Sequence, residues 1–374
     1  MPNPEIALSR HSFFRTLFFV ALAAASLVVV DTVLARTERN ETSLAAARFS
    51  REGELLLQQH KYSDAADSFH SAIANARNNP DYPLALGQAL LDAGQLDEAN
   101  STLTDLLQAD SMAGAPNLAM ARVFAKEGQF EQAAFYYHRA IYGQWKQDAA
   151  ANQVKVRFEL AGLLAGRNSK AELLAELLPL QEDASPDAAT QARLARLFMT
   201  AGSPTRAAAI FRDLVHAAPQ DAEAHQGLGD AEFALGDFAA AQTAFVAALH
   251  LAPNAPGAST ARKALEITDQ VLNLDPMRRG LAGPERYERS VHILQLVSDR
   301  VTLCMTPSHA ESAKPLLDSA NTALTRRVTP NAQPEAAEAN LEVAGKLWQA
   351  AKPDCKPGPT AGDPLQLVLA KAAQ

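Results

Sequence analysis

The sequence predicts an all-α fold: an α-solenoid of about six helix–turn–helix repeats, then a capping helix and a small C-terminal helical bundle. Small and large apolar residues recur about every 34 residues over much of the chain, which is typical of helical repeats. Aromatic residues make up only 6% of the 374 residues and alanine is abundant, which favours closely packed helices. Glycines and prolines fall between amphipathic segments, where helices end.

The clearest repeat covers residues 222–255. Gly229 and Ala241 are small where two antiparallel helices must approach each other, and Phe245 fills the space between them. Pro253 ends the second helix, because proline lacks the backbone donor that a helix interior needs. These spacings resemble a repeat of the tetratricopeptide (TPR) family, a helix–turn–helix unit of about 34 residues. Such a unit cannot bury its apolar face alone, so the resemblance implies neighbouring repeats.

Five further segments resemble the same template, at residues 46–79, 80–113, 114–147, 152–185 and 188–221. We expect the contacts between their helices at the small and large template residues Gly53, Ala65, Phe69, Gly87, Ala99, Ala133, Tyr137, Ala207 and Phe211. The segment at 152–185 fits least well. It has Glu159 where a small residue is expected and Ala175 where a large one is expected.

Extra residues around Trp145 shift the register of that fourth segment. Trp145 is either a packing plug for the fourth repeat or an exposed anchor for a partner. We favour the plug, because tryptophan is highly buried on average. The TPR resemblance therefore covers roughly residues 46–255.

Helical signals continue beyond the repeats. An amphipathic segment within 256–276 is expected to cap the solenoid, since the last apolar face needs a cover. Residues 281–374 are interpreted as a small helical bundle, with helices predicted at 284–304, 308–326, 334–351 and 364–373 and a Pro/Gly-rich linker at 352–359.

Cys304 and Cys355 are the two cysteines of the chain, and each lies at or just after the end of a predicted helix. In an exported protein the even count predicts one disulfide. In a reducing compartment, two buried and unpaired thiols are expected instead.

Residues 1–35 determine the compartment. A run of small and apolar residues covers 17–30, with Arg10 and Arg15 before it and a V-x-A cleavage pattern ending at Ala35. This is typical of a secretory signal peptide. Counted over 13–34, the segment approaches the roughly 20 residues of a membrane-spanning helix, so an uncleaved signal anchor is the alternative.

Both interpretations place the rest of the chain outside the cytoplasm, as a periplasmic protein that is either soluble or anchored in the inner membrane. Arg36, Arg39, Arg48 and Arg51 lie on the far side of the apolar run, however. The positive-inside rule therefore leaves open a body that faces the cytoplasm.

The sequence offers no catalytic, cofactor or metal motif. The nine histidines are scattered, and there is no H-E-x-x-H, G-x-S-x-G, P-loop or C-x-x-C pattern. Gly227 and Gly229 superficially resemble part of a nucleotide loop, but they lie inside a predicted helix. The formal net charge of −8 argues against a nucleic-acid surface. We therefore expect a non-enzymatic protein with no cofactor and no metal.

In the TPR family the first helix of each repeat lines a groove that holds a peptide or a partner helix. The resemblance implies groove positions that include Met199, Gln226 and Asp230, together with a group of basic residues in repeats three to five: Arg122, Lys126, Arg157, Arg193 and Arg196. Because the planar fork of arginine suits carboxylates, we hypothesise that the groove takes an acidic segment or a C-terminal carboxylate. The alternative is an ordinary solvated face whose charges pair locally.

The sequence thus indicates a scaffold that binds protein or peptide partners in the cell envelope, in assembly, secretion or folding complexes. Membrane contact is expected only through an uncleaved N-terminal segment. Two alternatives stay open. One is an accessory subunit of an envelope enzyme complex that docks through residues 281–374, and the other is an anchored adaptor that faces the cytoplasm.

Overall fold

The protein, described as a computed structural model over residues 4–355 and 362–372, is all-α across those residues, and the predicted fold class is confirmed. As far as residue 251 the described chain forms twelve helices, which follow one another as six helix–turn–helix pairs. Their bounds are α1 (Pro4–Gln58), α2 (Tyr62–Asn75), α3 (Asp81–Ala93), α4 (Leu96–Ala109), α5 (Gly114–Lys126), α6 (Phe130–Ile141), α7 (Ala149–Gly166), α8 (Lys170–Asp183), α9 (Ala188–Thr200), α10 (Pro204–Ala217), α11 (Ala222–Leu235) and α12 (Phe238–Leu251).

The turn inside each pair contains one residue in the left-handed backbone region. Four of the six residues at this position are glycine, which adopts a positive φ without the steric cost of a Cβ atom. The residues are His60, Gly94, Gly128, Asn168, Gly202 and Gly236. Successive members are 34 residues apart, except that Asn168 follows Gly128 by 40. The chain therefore keeps one repeat period and interrupts it once.

Close approach of the two helices of a repeat depends on a small residue in the first helix. A methyl group built on Gly229 would lie 2.6 Å from the Phe245 ring, and one on Gly53 would lie 2.8 Å from the Phe69 ring. Gly227 faces the ring of Phe211 in the same way. Both α11 glycines are therefore packing residues, as expected of a helix held between α10 and α12.

The other template residues lie in the core as well. Gly87 contacts Leu103, and the small residues of the second helices are fully buried: Ala65, Ala99, Ala133, Ala207 and Ala241. The aromatic rings of Phe69, Phe211 and Phe245 are at most 1% exposed and that of Tyr137 is 5% exposed. Pro253 follows α12, which ends two residues earlier.

The register predicted for the fourth repeat is wrong by two residues. The left-handed turn at Asn168 shifts every template position of this repeat by two. Ala161 then takes the small position and Leu177 the large one, and both are fully buried. Glu159 and Ala175 are not the core residues of this repeat. The error arose because the insert before the repeat is longer than the sequence pattern indicated.

The insert between α6 and α7 folds back on the start of α5. The amide of Gln144 donates to the carbonyl of Met112, and the amide of Gly114 donates to the carbonyl of Gln144, each at 2.7 Å. Trp145 packs against Gly114, and its indole nitrogen donates to the carbonyl of Ala140 at 2.9 Å. Trp145 is therefore a packing plug, although it closes the third repeat and not the fourth.

Contacts divide the chain into two compact units, Met1–Leu163 and Leu164–Gln374. The boundary lies inside α7. The core of the first unit is formed by residues of α2 to α5, with Phe69, Leu90, Leu103 and Met120 among its most buried side chains.

The second unit continues past the repeats into five more α-helices and one turn of 3-10 helix at Pro330–Ala332. The helices are α13 (Ala258–Leu274), α14 (Gly283–Cys304), α15 (Pro307–Thr325), α16 (Gln333–Ala351) and α17 (Pro364–Ala372). Their core includes Phe238 of α12 together with Val271, Ile293 and Leu347. The last repeat and the C-terminal helices therefore share one core, and a separate bundle over 281–374 stays a prediction. Residues 356–359 of the predicted linker lie outside the described residues.

Cys304 at the end of α14 and Cys355 just after α16 are joined by a disulfide, with Cα atoms 5.2 Å apart. Beside it, the carboxylate of Asp354 accepts hydrogen bonds from the amide and the hydroxyl of Thr306, at 2.7 and 2.8 Å. These bonds hold the pKa of Asp354 below its usual value. They fix the start of α15 next to the cysteine pair.

Helix α1 runs without interruption for 55 residues through the predicted cleavage pattern and into the first repeat. Its part from Leu17 onward is long and apolar enough to cross a membrane, a test that a signal sequence also passes. Its large apolar side chains between Leu17 and Leu34 are all more than half exposed, so no described part of the chain covers them. Ala46 is fully buried, and from there α1 packs as the first helix of the first repeat.

Substitution of Gly229 by alanine tests the close helix approach. We expect Gly229→Ala to destabilise the second unit by about 1–3 kcal/mol, because its new methyl group would overlap the Phe245 ring. The matched control is Gly345→Ala in α16, where no atom lies within 4 Å of the added carbon. That control should gain up to about 1 kcal/mol from helix propensity. Equal effects of the two substitutions in urea unfolding would contradict the packing role.

Candidate binding clefts

The first unit contains an open cleft of about 600 Å³ between the first helices of successive repeats. We call it the basic cleft, because three cations and one carboxylate line it: Arg122, Lys126, Lys155 and Asp92. Gln88, Leu91 and Tyr137 complete much of the wall. Two of the five predicted basic residues, Arg122 and Lys126, are therefore brought together.

Arg122 is tied to Glu159 of α7. Its Nε and Nη2 atoms donate to the two carboxylate oxygens of Glu159 at 2.9 and 2.6 Å, which is the bidentate geometry that arginine favours. The hydrogen bond to Glu159 raises the pKa of Arg122. Glu159, which did not fit the repeat template in the sequence, thus orients the guanidinium of Arg122 at the basic cleft.

Tyr137 lies beside this pair. Burial and, to a lesser extent, the nearby Glu159 charge raise the pKa of the Tyr137 phenol to about 12, although Arg122 acts in the opposite direction. The phenol is therefore neutral at physiological pH and contributes a neutral polar surface to the cleft.

The two lysines of the basic cleft differ in their bonding. The ammonium of Lys126 donates to the carbonyl of Leu91 at 2.7 Å, near the end of α3, where helix carbonyls lack helical partners. Lys155 of α7 is exposed and has no hydrogen bond or ion pair among the described residues. Lys155 is the cation of this cleft whose charge is uncommitted, and the sequence reasoning did not select it.

The other three predicted basic residues lie elsewhere. The guanidinium of Arg157 stands over the Tyr142 ring, 5.6 Å from its centre. Arg157 follows Lys155 by two positions in the helix, so its side chain is turned by about 200° around the helix axis. Arg193 and Arg196 both lie on α9 in the second unit, where Arg193 is also engaged in a contact within the chain.

The second unit contains a smaller cleft of about 490 Å³, formed by α9, α11, the start of α13 and the segment before it. We call it the Asp230 cleft. Four residues at predicted groove positions line it: Arg196, Met199, Gln226 and Asp230. Arg196 pairs with Glu223 at 3.0 Å on the exposed rim. Burial raises the pKa of Asp230 to about 6.

Among the described residues, no group of three or more His, Cys, Asp or Glu side chains could hold a metal ion. Both clefts present small apolar surface and a few charges, an arrangement that can bind a peptide segment.

Comparison with known proteins identifies the repeats. Two family models described as tetratricopeptide repeat match residues 56–122 and 192–256. The chain therefore contains tetratricopeptide repeats. No curated protein sequence matches the chain significantly. TPR repeats are protein-interaction modules, so at this level the chain is a scaffold for protein–protein interactions, and proteins of this fold are generally non-catalytic.

Several solved structures are similar in fold. YrrB, a TPR protein with an unusual peptide-binding site, is 17% identical with a TM-score of 0.43, over 53% of this chain and 99% of YrrB. PilF of Pseudomonas aeruginosa is 14% identical with a TM-score of 0.43, over 60% of this chain and 98% of PilF. A tetratricopeptide repeat protein of Parabacteroides merdae is 12% identical with a TM-score of 0.41, over 88% of this chain and all of the other.

An alkaline titration tests the cluster at Arg122. Because the pKa of Tyr137 is raised from 10.0 to about 12, the folded state holds the phenol proton more tightly than the unfolded state. The contribution of Tyr137 to stability is fully present below pH 10 and is lost as the pH rises towards 12. A tyrosinate absorbance titration should show one late-titrating tyrosine that disappears in Tyr137→Phe. Glu159→Gln should lower that pKa and the exposed control Glu54→Gln should not; the reverse pattern would contradict the cluster.

Proposed function

We propose that the chain is a scaffold of the cell envelope, anchored by its N-terminal helix, that recruits partner proteins for assembly, secretion or folding. One of its contacts is an acidic segment of a partner bound in the basic cleft. The observation that carries the proposal is that cleft itself. There the three cations Arg122, Lys126 and Lys155 exceed the two nearby carboxylates, Asp92 in the lining and Glu159 paired with Arg122, in a protein whose net charge is −8.

The arrangement of charges supports an acidic ligand. Arg122 is held in place by Glu159, so little side-chain entropy is lost when a ligand binds beside it. Lys155 forms no ion pair among the described residues. A ligand carboxylate can therefore pair with Lys155 without breaking an existing ion pair. A pocket volume of about 600 Å³ falls within the range of about 300–1,000 Å³ that is common for small-molecule and cofactor ligands.

The proposed binding site for an acidic segment is smaller than the groove through repeats three to five that the sequence predicted. Arg122 and Arg196 are each paired with a glutamate, so the local pairing that the sequence left open as an alternative is present at both residues. The acidic-ligand proposal therefore rests on the basic cleft alone and not on a stripe through repeats three to five.

An uncleaved anchor is supported by the continuity of α1. The apolar surface from Leu17 to Leu34 is uncovered, and a bilayer would remove it from water. The same helix continues into the first repeat, so a membrane-held segment would carry the repeats directly. The disulfide between Cys304 and Cys355 in the second unit fits an oxidising compartment such as the periplasm.

Charge reversal at Lys155 tests the acidic-segment proposal. We expect Lys155→Glu to weaken binding of a fluorescent, glutamate-rich peptide to the full chain in detergent about tenfold, or roughly 1.4 kcal/mol. Lys155 makes no internal ion pair, so the fold should be unaffected. Arg77→Glu makes the same charge change at an exposed residue outside the cleft and should bind like the wild type. Equal weakening in both variants would indicate only the loss of bulk charge.

Thiol labelling in the native cells tests the compartment. We expect Cys304 and Cys355 to resist labelling until a reductant is added, and the intact N-terminus to remain with the membrane fraction. A chain that begins at Arg36 with the same bridge would replace the anchored scaffold by a soluble exported one. Two free thiols would refute export and favour the adaptor that faces the cytoplasm. On the chain-entropy model, a bridge between residues 51 apart stabilises by roughly 4 kcal/mol.

A further inference from the structure

The Asp230 cleft contains a carboxylate without a partner. Asp230 lines the cleft from α11 and accepts no hydrogen bond and forms no ion pair among the described residues. The other two charged residues of the lining, Arg196 and Glu223, are paired with each other at 3.0 Å. Asp230 is thus the charge of this cleft that no residue in the described part of the chain neutralises.

The wall around Asp230 is small and apolar. It consists of alanines from α11, α12, α13 and the segment between α12 and α13, two glycines, and the larger residues Met199, Phe211, Leu249 and Pro256. No titratable group reaches the cleft from α10, α12, α13 or the segment between α12 and α13. The charged groups that face Asp230 are therefore Arg196 of α9 and Glu223 of its own helix.

This environment removes water from the carboxylate and supplies no compensating charge. Burial alone accounts for the raised pKa of Asp230, about 6, with no contribution from a neighbouring charge. At neutral pH the carboxylate is ionised and poorly solvated, a state that an external cation would relieve. An anionic ligand would meet unfavourable charge here, in contrast to the basic cleft.

We propose that the Asp230 cleft binds a basic side chain, lysine or arginine, from a segment of a partner protein. The charged head group would lie at the Asp230 carboxylate, and the methylene stem would cover the alanine-rich wall, as long basic side chains do on apolar surfaces. The two clefts would then select opposite charges on their ligands. The inference rests on the proposed scaffold function but not on the acidic-segment contact.

The geometry predicts a characteristic pH dependence. Only ionised Asp230 attracts a cation, while lysine and arginine keep their charge throughout the range. Affinity should therefore be nearly full at pH 7.5, about half-maximal near pH 6, and lower still as the pH decreases further. Between pH 7.5 and about pH 5 the expected loss is about tenfold.

A peptide array provides the test. Acetylated, amidated peptides with randomised uncharged flanks carry a central lysine, arginine, norleucine or glutamate, and the full chain is applied in detergent at pH 7.5. We expect lysine- and arginine-centred peptides to bind and norleucine- and glutamate-centred ones to bind at least tenfold more weakly. Preference for lysine over arginine, or the reverse, would identify the basic group. Absence of any preference for the basic peptides would overturn the proposal.

Variants then locate the site. Asp230→Asn preserves side-chain shape and should reduce affinity for the best basic peptide at least tenfold, remove its pH dependence and raise thermal stability above pH 6. The matched control is Asp213→Asn on the exposed face of α10, which should bind like the wild type. Unchanged affinity in Asp230→Asn, with a raised melting temperature that shows it folded, would overturn the proposal.

The two binding proposals can fail separately. Lys155→Glu should leave binding of the basic peptide unchanged, and Asp230→Asn should leave binding of the glutamate-rich peptide unchanged. Loss of acidic-peptide binding alone would remove the basic cleft as a site and keep the Asp230 cleft. A variant that loses both ligands at once would refute two independent sites.

Discussion

The contact between a small residue on the first helix and a large one on the second is the constraint on which the structure depends. It recurs as Gly53 with Phe69, Gly87 with Leu103, and Gly229 with Phe245. None of these pairs admits an additional methyl group without a shift of the ring or side chain. Because the contact sets the distance between helices, it also sets which faces remain for the clefts. The clefts are thus a consequence of the packing, and packing residues such as Tyr137, Phe211 and Gly227 form part of their walls.

The sequence predicted the architecture where glycines and aromatic residues coincide with the period. It also predicted the helices of the C-terminal third closely, because proline and glycine mark their ends, as at Pro276 and Gly283. It failed in the fourth repeat, because the length of the insert is set by the contact of Trp145 with Gly114, which lies more than 30 residues away in the chain. A two-residue error in register then assigned Arg157 to the groove and overlooked Lys155.

Candidate site residues were harder to predict than the core. Three residues that the template places at groove positions, Arg122, Arg196 and Asp230, are in the linings of the two clefts. The template positions gave no information about ion pairs. An ion pair within the chain determines whether a charged side chain is available to a ligand. Glu159 and Glu232 each neutralise an arginine from another helix. Asp230 resembles them in the sequence and differs only in lacking such an arginine.

The unbroken α1 has a mechanical consequence. Ala46, the first fully buried residue of the repeats, follows Ala35 by about three helical turns, or roughly 17 Å of axial rise. A helix of this kind is a short stiff strut and not a flexible tether. If the apolar part is held in a bilayer, the first repeat is held at a fixed height above the lipid surface and cannot swivel freely. Only a partner that is itself close to the membrane, or one that reaches it with an extended segment, could then approach the first repeat.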